Sequence, residues 1–333
     1  MKKDFTGTRE PWLQRVVLTA TLLLSFQAGA IDTQRDDVQE FIAGLADKDQ
    51  FDAAYVEDVL SRSTVQQKIL DAMSRPAEKV KPWHEYRAIF ITPERIAAGV
   101  KFYGEHRDTL HRIEEETGVP PEMVLGIVGV ESYFGRITGK HRVVDALVTL
   151  GFDYPPRSKF FRSELNEAFL LAREEDMDLD ELVGSYAGAM GPPQFIPSSY
   201  RHYAVDGDGD GKRDLINNWQ DILASVANYF AAHKWRAGQP VAVKATLQST
   251  DIKANEKLKP RYTVGKLSQS GIEFQTELDS SAKADLWALE GATATENWVG
   301  FNNLYVITRY NRSIMYALAA WQLGDAIMLE AAR

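Results

Sequence analysis

The segment Pro121–Phe134 limits what this chain can fold into more than any other. From Met123 to Gly135 it reads Met-Val-Leu-Gly-Ile-Val-Gly-Val-Glu-Ser-Tyr-Phe-Gly, with Glu131 as the only carboxylate. A helix that is apolar on every face has to be buried on every face, so the rest of the chain must wrap around it. Gly118-Val119-Pro120-Pro121 breaks the preceding segment and starts this one, because proline suits the first helical position. Around it, apolar residues recur at helical spacing: Val38, Phe41, Ile42 and Leu45 within 31–80, then the segments 95–116, 160–176, 219–233 and 311–330. Residues 239–300 differ. Val241-Ala242-Val243-Lys244-Ala245-Thr246-Leu247 alternates, and Lys, Ser and Gly punctuate the remainder of the stretch, which reads as a small sheet-containing module. The expected fold is therefore mainly α, a helical region of residues 31–238 plus 301–333 with a small β-containing insert at 239–300.

Composition removes several classes. Hydrophobic residues are 44% and charged residues 26% of the 333, too apolar for a disordered chain. The formal charge of −9 argues against nucleic acid as partner, because phosphate neutralisation needs positive charge. No cysteine occurs, so disulfide frameworks, thiolate metal sites, cysteine nucleophiles and lipid anchoring through Cys are excluded. Residues 1–30 have the layout of a signal peptide: Lys2, Lys3, Arg9 and Arg15, an apolar run from Val16 to Phe26, then small residues ending at Ala30. The run is too short to span a bilayer, which needs about 20 apolar residues. Export with cleavage after Ala30 is expected.

Burial disfavours the ionised form of a carboxylate, so Glu131 in its apolar helix is expected to hold its proton to unusually high pH. That is what a general acid needs; the alternative is a structural carboxylate paired to Arg136 or Arg142. The stretch Gly184–Tyr200 is crowded with Gly, Ala and Pro. It is either a tight connection between helices or a loop whose backbone approaches a ligand closely, with Gln194 able to offer amide donors and an acceptor. Asp206-Gly207-Asp208-Gly209-Asp210-Gly211-Lys212 matches the start of an EF-hand loop, with oxygens at positions 1, 3 and 5, the glycine at 6 and a backbone carbonyl at 7. Position 12 should be Glu and is Asn217, so the loop is either a Ca²⁺ site of different length or a solvated acidic turn. His106 and His111, five apart on an amphipathic segment, suit a surface better than a metal.

Four segments in order carry a resemblance. Gly129-Val130-Glu131-Ser132-Tyr133-Phe134-Gly135, Ala187-Gly188-Ala189-Met190-Gly191 with Gln194-Phe195, Ser225-Val226-Ala227-Asn228-Tyr229-Phe230 and Val306-Ile307-Thr308-Arg309-Tyr310-Asn311 are similar to those of the membrane-bound lytic murein transglycosylase B family, over about Trp83 to Leu323. The resemblance implies a lysozyme-like α core and cleavage of the MurNAc–GlcNAc β-1,4 bond of peptidoglycan with closure of a 1,6-anhydro ring on MurNAc. It implies Glu131 as a single catalytic residue, acid and then base, with Tyr86, Ser185, Gln194, Tyr229, Tyr310, Asn311 and Tyr316 around the substrate. It also implies a structural Ca²⁺ on Asp206, Asp208, Asp210, the Lys212 carbonyl and Asp221, with Asp214 as a further candidate. The family often has two consecutive arginines where this chain has Pro156-Arg157, and a glycine-bearing pair where it has Pro192-Pro193. Periplasmic location, glycan strands as partners and other cell-wall enzymes as companions follow from the same resemblance. A muramidase that adds water and a peptidoglycan-binding scaffold are the rival readings.

Overall fold

The computed structural model describes residues 29–74 and 81–333. The apolar run of the expected signal peptide lies outside the described residues; only Gly29 and Ala30 of that segment are inside them. Those two form strand β1 (Gly29–Ala30), followed by helices α1 (Asp36–Asp49) and α2 (Ala53–Ser61), strand β2 (Thr64–Val65) and α3 (Gln67–Met73). β1 and β2 pair antiparallel, Ala30 opposite Thr64. Next come α4 (Trp83–Phe90), α5 (Pro93–Thr117), α6 (Pro121–Ser132), β3 (His141–Arg142), α7 (Val143–Asp153), α8 (Ser158–Glu174), β4 (Val183–Gly184), α9 (Pro197–Tyr203) and α10 (Trp219–Ala232). The sheet region holds β5 (Ala242–Lys244), β6 (Thr246–Leu247), β7 (Tyr262–Thr263), α11 (Val264–Gln269), β8 (Ile272–Glu273), β9 (Lys283–Glu290) and β10 (Thr295–Gly300). Two helices close the chain, α12 (Asn302–Tyr310) and α13 (Ile314–Ala331).

The apolar helix is the centre of the molecule, as its composition demands. Met123 to Gly129 of α6 are buried without a break, and α13 packs along it as the most extensive helix pair. Glycine makes that closeness possible. A Cβ at Gly126 would stand 2.1 Å from the Ala320 carbonyl oxygen, and one at Gly324 would stand 1.8 Å from that of Glu122. α6 ends two residues earlier than its apolar run suggests, because Tyr133 (φ 53°) and Phe134 (φ 57°) turn left-handed. Both backbone N–H groups return to the Val128 carbonyl, which terminates the helix one residue after Glu131.

The sheet has strand order β5-β10-β9-β7 and is antiparallel throughout. Successive side chains point to opposite faces of a strand, and here the two faces serve different cores. Leu286 and Val299, paired across β9 and β10, join Val264, Leu267, Ile272 and Phe301 in a small core of their own. Their neighbours Trp287 and Trp298, also paired, face the main helical core. The single run expected from Val241 to Leu247 is broken at Ala245 into two strands of different sheets. The helix expected at 311–330 begins only at Ile314, since Asn311 is extended (φ −135°, ψ 129°) and ends α12.

Candidate active site

Glu131 occupies the last turn of α6 and is half-buried. Opposite it, Ser313 caps α13: its hydroxyl accepts the Tyr316 backbone N–H at 3.2 Å. That cap fixes the first turn of α13, and the Tyr316 hydroxyl donates to Glu131 Oε1 at 2.5 Å. Tyr316 is 2% exposed. Burial, and then the charge of Glu131, hold its hydroxyl well above the usual phenol range, so it stays a donor across the physiological range. Tyr310 is held up in the same way, by burial and then by Glu131. Tyr86 contributes to the upward push on Tyr316, packs its ring 5.2 Å from Phe90 and is 2% exposed. The structure thus brings Glu131, Tyr86, Tyr310 and Tyr316 together. Of the two candidate ion-pair partners, Arg142 meets Asp145 at 3.3 Å and Asp180 at 3.6 Å, and Arg136 lies over the Tyr133 ring at 4.7 Å.

The Gly-, Ala- and Pro-rich stretch forms a chain of tight turns beside this acid. Ser185 N–H donates to the Ala189 carbonyl, and Met190 and Phe195 exchange backbone bonds. Gly191 (φ 65°) brings its backbone so close to Leu215 that a Cβ there would meet the carbonyl oxygen at 2.0 Å. Ser185 Oγ accepts the N–H groups of Ala187 and Ala189 at 3.2 and 3.1 Å, which leaves its hydroxyl proton to donate. Gln194 differs from expectation. Its amide donates to the carbonyls of Thr138 at 3.0 Å and Gly191 at 2.9 Å, so both N–H donors hold the loop and the amide oxygen is the group left for a ligand. Tyr229 lies deeper than Tyr310. Its hydroxyl donates to the Arg309 carbonyl at 2.6 Å and its ring is 8% exposed. Burial, and then Tyr203, push that hydroxyl up to about 12. The Tyr229 ring packs 4.9 Å from that of Tyr310. Tyr310 donates to the Pro193 carbonyl at 2.5 Å, tying α12 to the loop. Asn311 is half-buried at the end of α12. Arg157 lies exposed, stacked on Phe160 at 4.2 Å.

The acidic loop is built differently. Carboxylate oxygens of Asp206, Asp208 and Asp210 lie within 4.8 Å of one another, all three residues exposed. Asp206 accepts backbone N–H from Gly209, Asp210 and Gly211; the bond from Gly211 does most to hold its carboxyl below the usual range. Asp221 does not join the cluster of three. It is fully buried, and its two oxygens accept the Gly207 and Asp214 N–H groups, each at 2.7 Å. Asp214 likewise accepts the N–H groups of Ile216 and Asn217. Both close the loop from beneath, because a backbone donor is the partner within reach of each.

Known proteins with this arrangement are cell-wall enzymes. A family model described as the transglycosylase SLT domain matches residues 33–325. The membrane-bound lytic murein transglycosylase B of Escherichia coli K12 is 42% identical over 314 residues, which is 91% of this chain and 86% of that protein. The chain belongs to the lytic transglycosylase family. The crystal structure of the soluble lytic transglycosylase SltB1 of Pseudomonas aeruginosa superposes with a TM-score of 0.85 at 46% identity, covering 89% of this chain and all of that one. The Escherichia coli lytic transglycosylase Slt35, solved in complex with calcium, superposes with a TM-score of 0.84 at 40% identity, over 92% of this chain and 97% of that one. The fold is thus the lysozyme-like helical fold of these enzymes, and the protein is a lytic murein transglycosylase that cleaves peptidoglycan.

Sequence reasoning missed Ser313, the cap that aims Tyr316 at the acid. A serine directly ahead of the apolar run 314–320 is the signal that finds it.

Proposed function

We propose that Glu131 performs both proton transfers of the transglycosylase reaction. The observation that supports this most is its hydrogen bond with Tyr316: a half-buried carboxyl group, at the end of an apolar helix, held in place by a phenol. Most glycosidases use two carboxylates, but substrate-assisted enzymes do not. In the first step Glu131 gives its proton to the glycosidic oxygen as the C1–O bond breaks. The MurNAc N-acetyl carbonyl oxygen supports C1 from the opposite face. In the second step the C6 hydroxyl attacks C1, the N-acetyl oxygen leaves, and Glu131 takes the hydroxyl proton. The 1,6-anhydro ring is closed, no water is consumed, and Glu131 is again an acid.

The other residues divide by what they have left to offer. The Ser185 hydroxyl proton, the Gln194 amide oxygen and Asn311 face substrate hydroxyl and amide groups. Tyr310 offers a ring face to a sugar. Tyr86 and Tyr316 orient the acid, and Tyr229 supports Tyr310. The test is Glu131→Gln on purified sacculi, read by mass spectrometry. The native enzyme is expected to release anhydro-muropeptides, lighter by one water than hydrolytic products, and the variant to release none. Anhydro products from the variant at native rate remove Glu131 from this role.

The donor set at the acidic loop fits Ca²⁺, which takes six to eight oxygen ligands. Asp206, Asp208, Asp210 and the Lys212 carbonyl would hold it. Asp221 would be the fifth member of the proposed set. Burial first, and then Asp208 and Asp206, push the Asp221 carboxyl up; a cation relieves that repulsion. When bound, Ca²⁺ supplies charge neutralisation to the loop and takes no part in the sugar chemistry.

Peptidoglycan as substrate calls for export, and the signal-peptide layout of residues 1–30 supplies it; we place the mature enzyme in the periplasm, acting on glycan strands. Cleavage after Ala30 would remove β1, while Ile31 keeps its backbone bond to the Ser63 carbonyl at 3.1 Å. Residues 239–300 are read as an insert in the catalytic region.

A further inference from the structure

A second cavity opens at the opposite end of α6. Its volume is about 770 Å³, inside the ~300–1,000 Å³ range of small-ligand sites. It lies between the helical body and the sheet region. Glu114 comes from α5, Glu122 from α6, Trp235 and Gln239 from the segment after α10, Glu277 from the loop before β9, and Trp321 from α13. Glu122 is nine residues before Glu131, roughly 13 Å along the axis at 1.5 Å per residue. The two sites are distinct.

Two properties of the lining define its chemistry. The first is a pair of half-buried indoles held in fixed orientations. Trp235 Nε1–H donates to the Gly118 carbonyl at 3.0 Å, and Trp321 stands edge-on to Trp298 at 6.2 Å and 88°. The second is charge. Glu114, Glu122 and Glu277 line the cavity, and no Lys, Arg or His does. Glu114 has a neighbour outside the lining, His111 at 3.4 Å. Glu122 meets no cation among the described residues: burial pushes its carboxyl up against the pull of its own backbone N–H, and Glu114 and Asp325 add to the push.

A neutral sugar would cover the indoles and leave the carboxylates uncompensated. An ammonium on an apolar stem answers both features, since a cation is attracted to the face of an indole and forms strong hydrogen bonds with a carboxylate. We propose that this cavity binds a primary ammonium group carried on a flexible peptide side chain, with Glu122 as its counter-charge. The chain's formal charge of −9 favours the approach of such a group. The proposal does not depend on how Glu131 performs the reaction.

The probe is a short peptide with blocked termini and one lysine, compared with the same peptide acetylated at Nζ, by titration calorimetry on the whole protein. Saturable one-site binding of the free amine is expected, with at least about tenfold weaker binding of the acetylated peptide, since a hydrogen bond to a charged group is worth ~1.5–3 kcal/mol. Glu122→Gln should weaken the free amine by a similar factor. Glu181→Gln, an exposed carboxylate outside the cavity, should leave it unchanged. If Glu122→Gln lowers Tm sharply, the exposed Glu277→Gln replaces it, with a smaller expected loss. Equal binding of the two peptides, no binding at millimolar concentration, or full affinity in both cavity variants overturns the proposal.

Discussion

Two groups of carboxylates in this molecule are arranged in opposite ways. Glu131 is single, half-buried and held by a phenol whose own ionisation burial prevents. Asp206, Asp208 and Asp210 are three together, exposed, and fed by backbone N–H groups. A carboxyl set in an apolar wall beside a phenol suits the acid chemistry proposed for it. Three exposed carboxylates side by side, each accepting backbone N–H groups, leave a set of oxygens suited to a hard cation. The same functional group is proposed as an acid where it sits in an apolar wall and as a ligand where it sits in an exposed cluster.

The sharpest way to break this contrast is at Glu131. Glu131→Gln keeps the shape and removes the proton, and turnover of sacculi should fall by at least about 10³-fold, within the range for general acid–base groups; a loss under tenfold would end the contrast on the catalytic side. Tyr316→Phe should lower the rate by roughly 10- to 100-fold, the value of a hydrogen bond to a charged group, with Tm nearly unchanged. A large fall in Tm with normal turnover would make Tyr316 a packing residue only. On the wet side, Ca²⁺ at about one hundred times its Kd should stabilise the protein by ~2.7 kcal/mol, read as a rise in Tm that a chelator reverses. The double substitution Asp206→Asn with Asp208→Asn should abolish that rise while turnover of short soluble glycans is kept. An unchanged melting curve with and without Ca²⁺ in the native protein would refute the site.

Glu164 tests the intermediate case, a carboxyl that is dry yet well supplied with donors. It is 4% exposed and accepts the Ser198 N–H at 3.0 Å and hydroxyl at 2.8 Å. Burial outweighs those bonds and raises its folded pKa above the unfolded value. Stability from its neutral form is therefore full below the unfolded carboxylate pKa, about 4.3, and is lost as pH rises through the folded value. Glu164→Gln should flatten that part of the stability–pH curve and raise Tm at pH 7 by about 2 °C, the scale expected for a change near 1 kcal/mol in a chain of this size. An unchanged slope between pH 4 and 7 would mean the two Ser198 bonds fully offset burial.

The sequence announces the helices whose periodicity is strong and hides what depends on side-chain partners. The apolar α6 and the amphipathic α10 stand where spacing puts them. The end of α6 is misplaced by two residues, because left-handed Tyr133 and Phe134 are unusual for aromatic residues. α7, buried from Val143 to Phe152, is a short apolar run whose periodicity cannot separate helix from strand. Around the acid, spacing cannot tell Tyr316, whose hydroxyl meets Glu131, from Tyr229, whose hydroxyl meets a backbone carbonyl. Nor can it tell that the donors of Gln194 serve Thr138 and Gly191. These are tertiary contacts between distant segments, and a local pattern carries no record of them. Asp221 is the same case: its acidic type is visible, while the 2.7 Å bonds to Gly207 and Asp214 that occupy it are not.

The glycine contacts between α6 and α13 have a consequence for how such an enzyme can change over generations. Where Gly126 meets Ala320 and Gly324 meets Glu122, peptide group rests on peptide group. The gap between the helix that carries Glu131 and the helix that carries Tyr316 is therefore set by main chain, which every sequence shares. Side chains elsewhere in the interior are free to drift in size and kind while that gap, and with it the reach from Tyr316 to Glu131, stays the same.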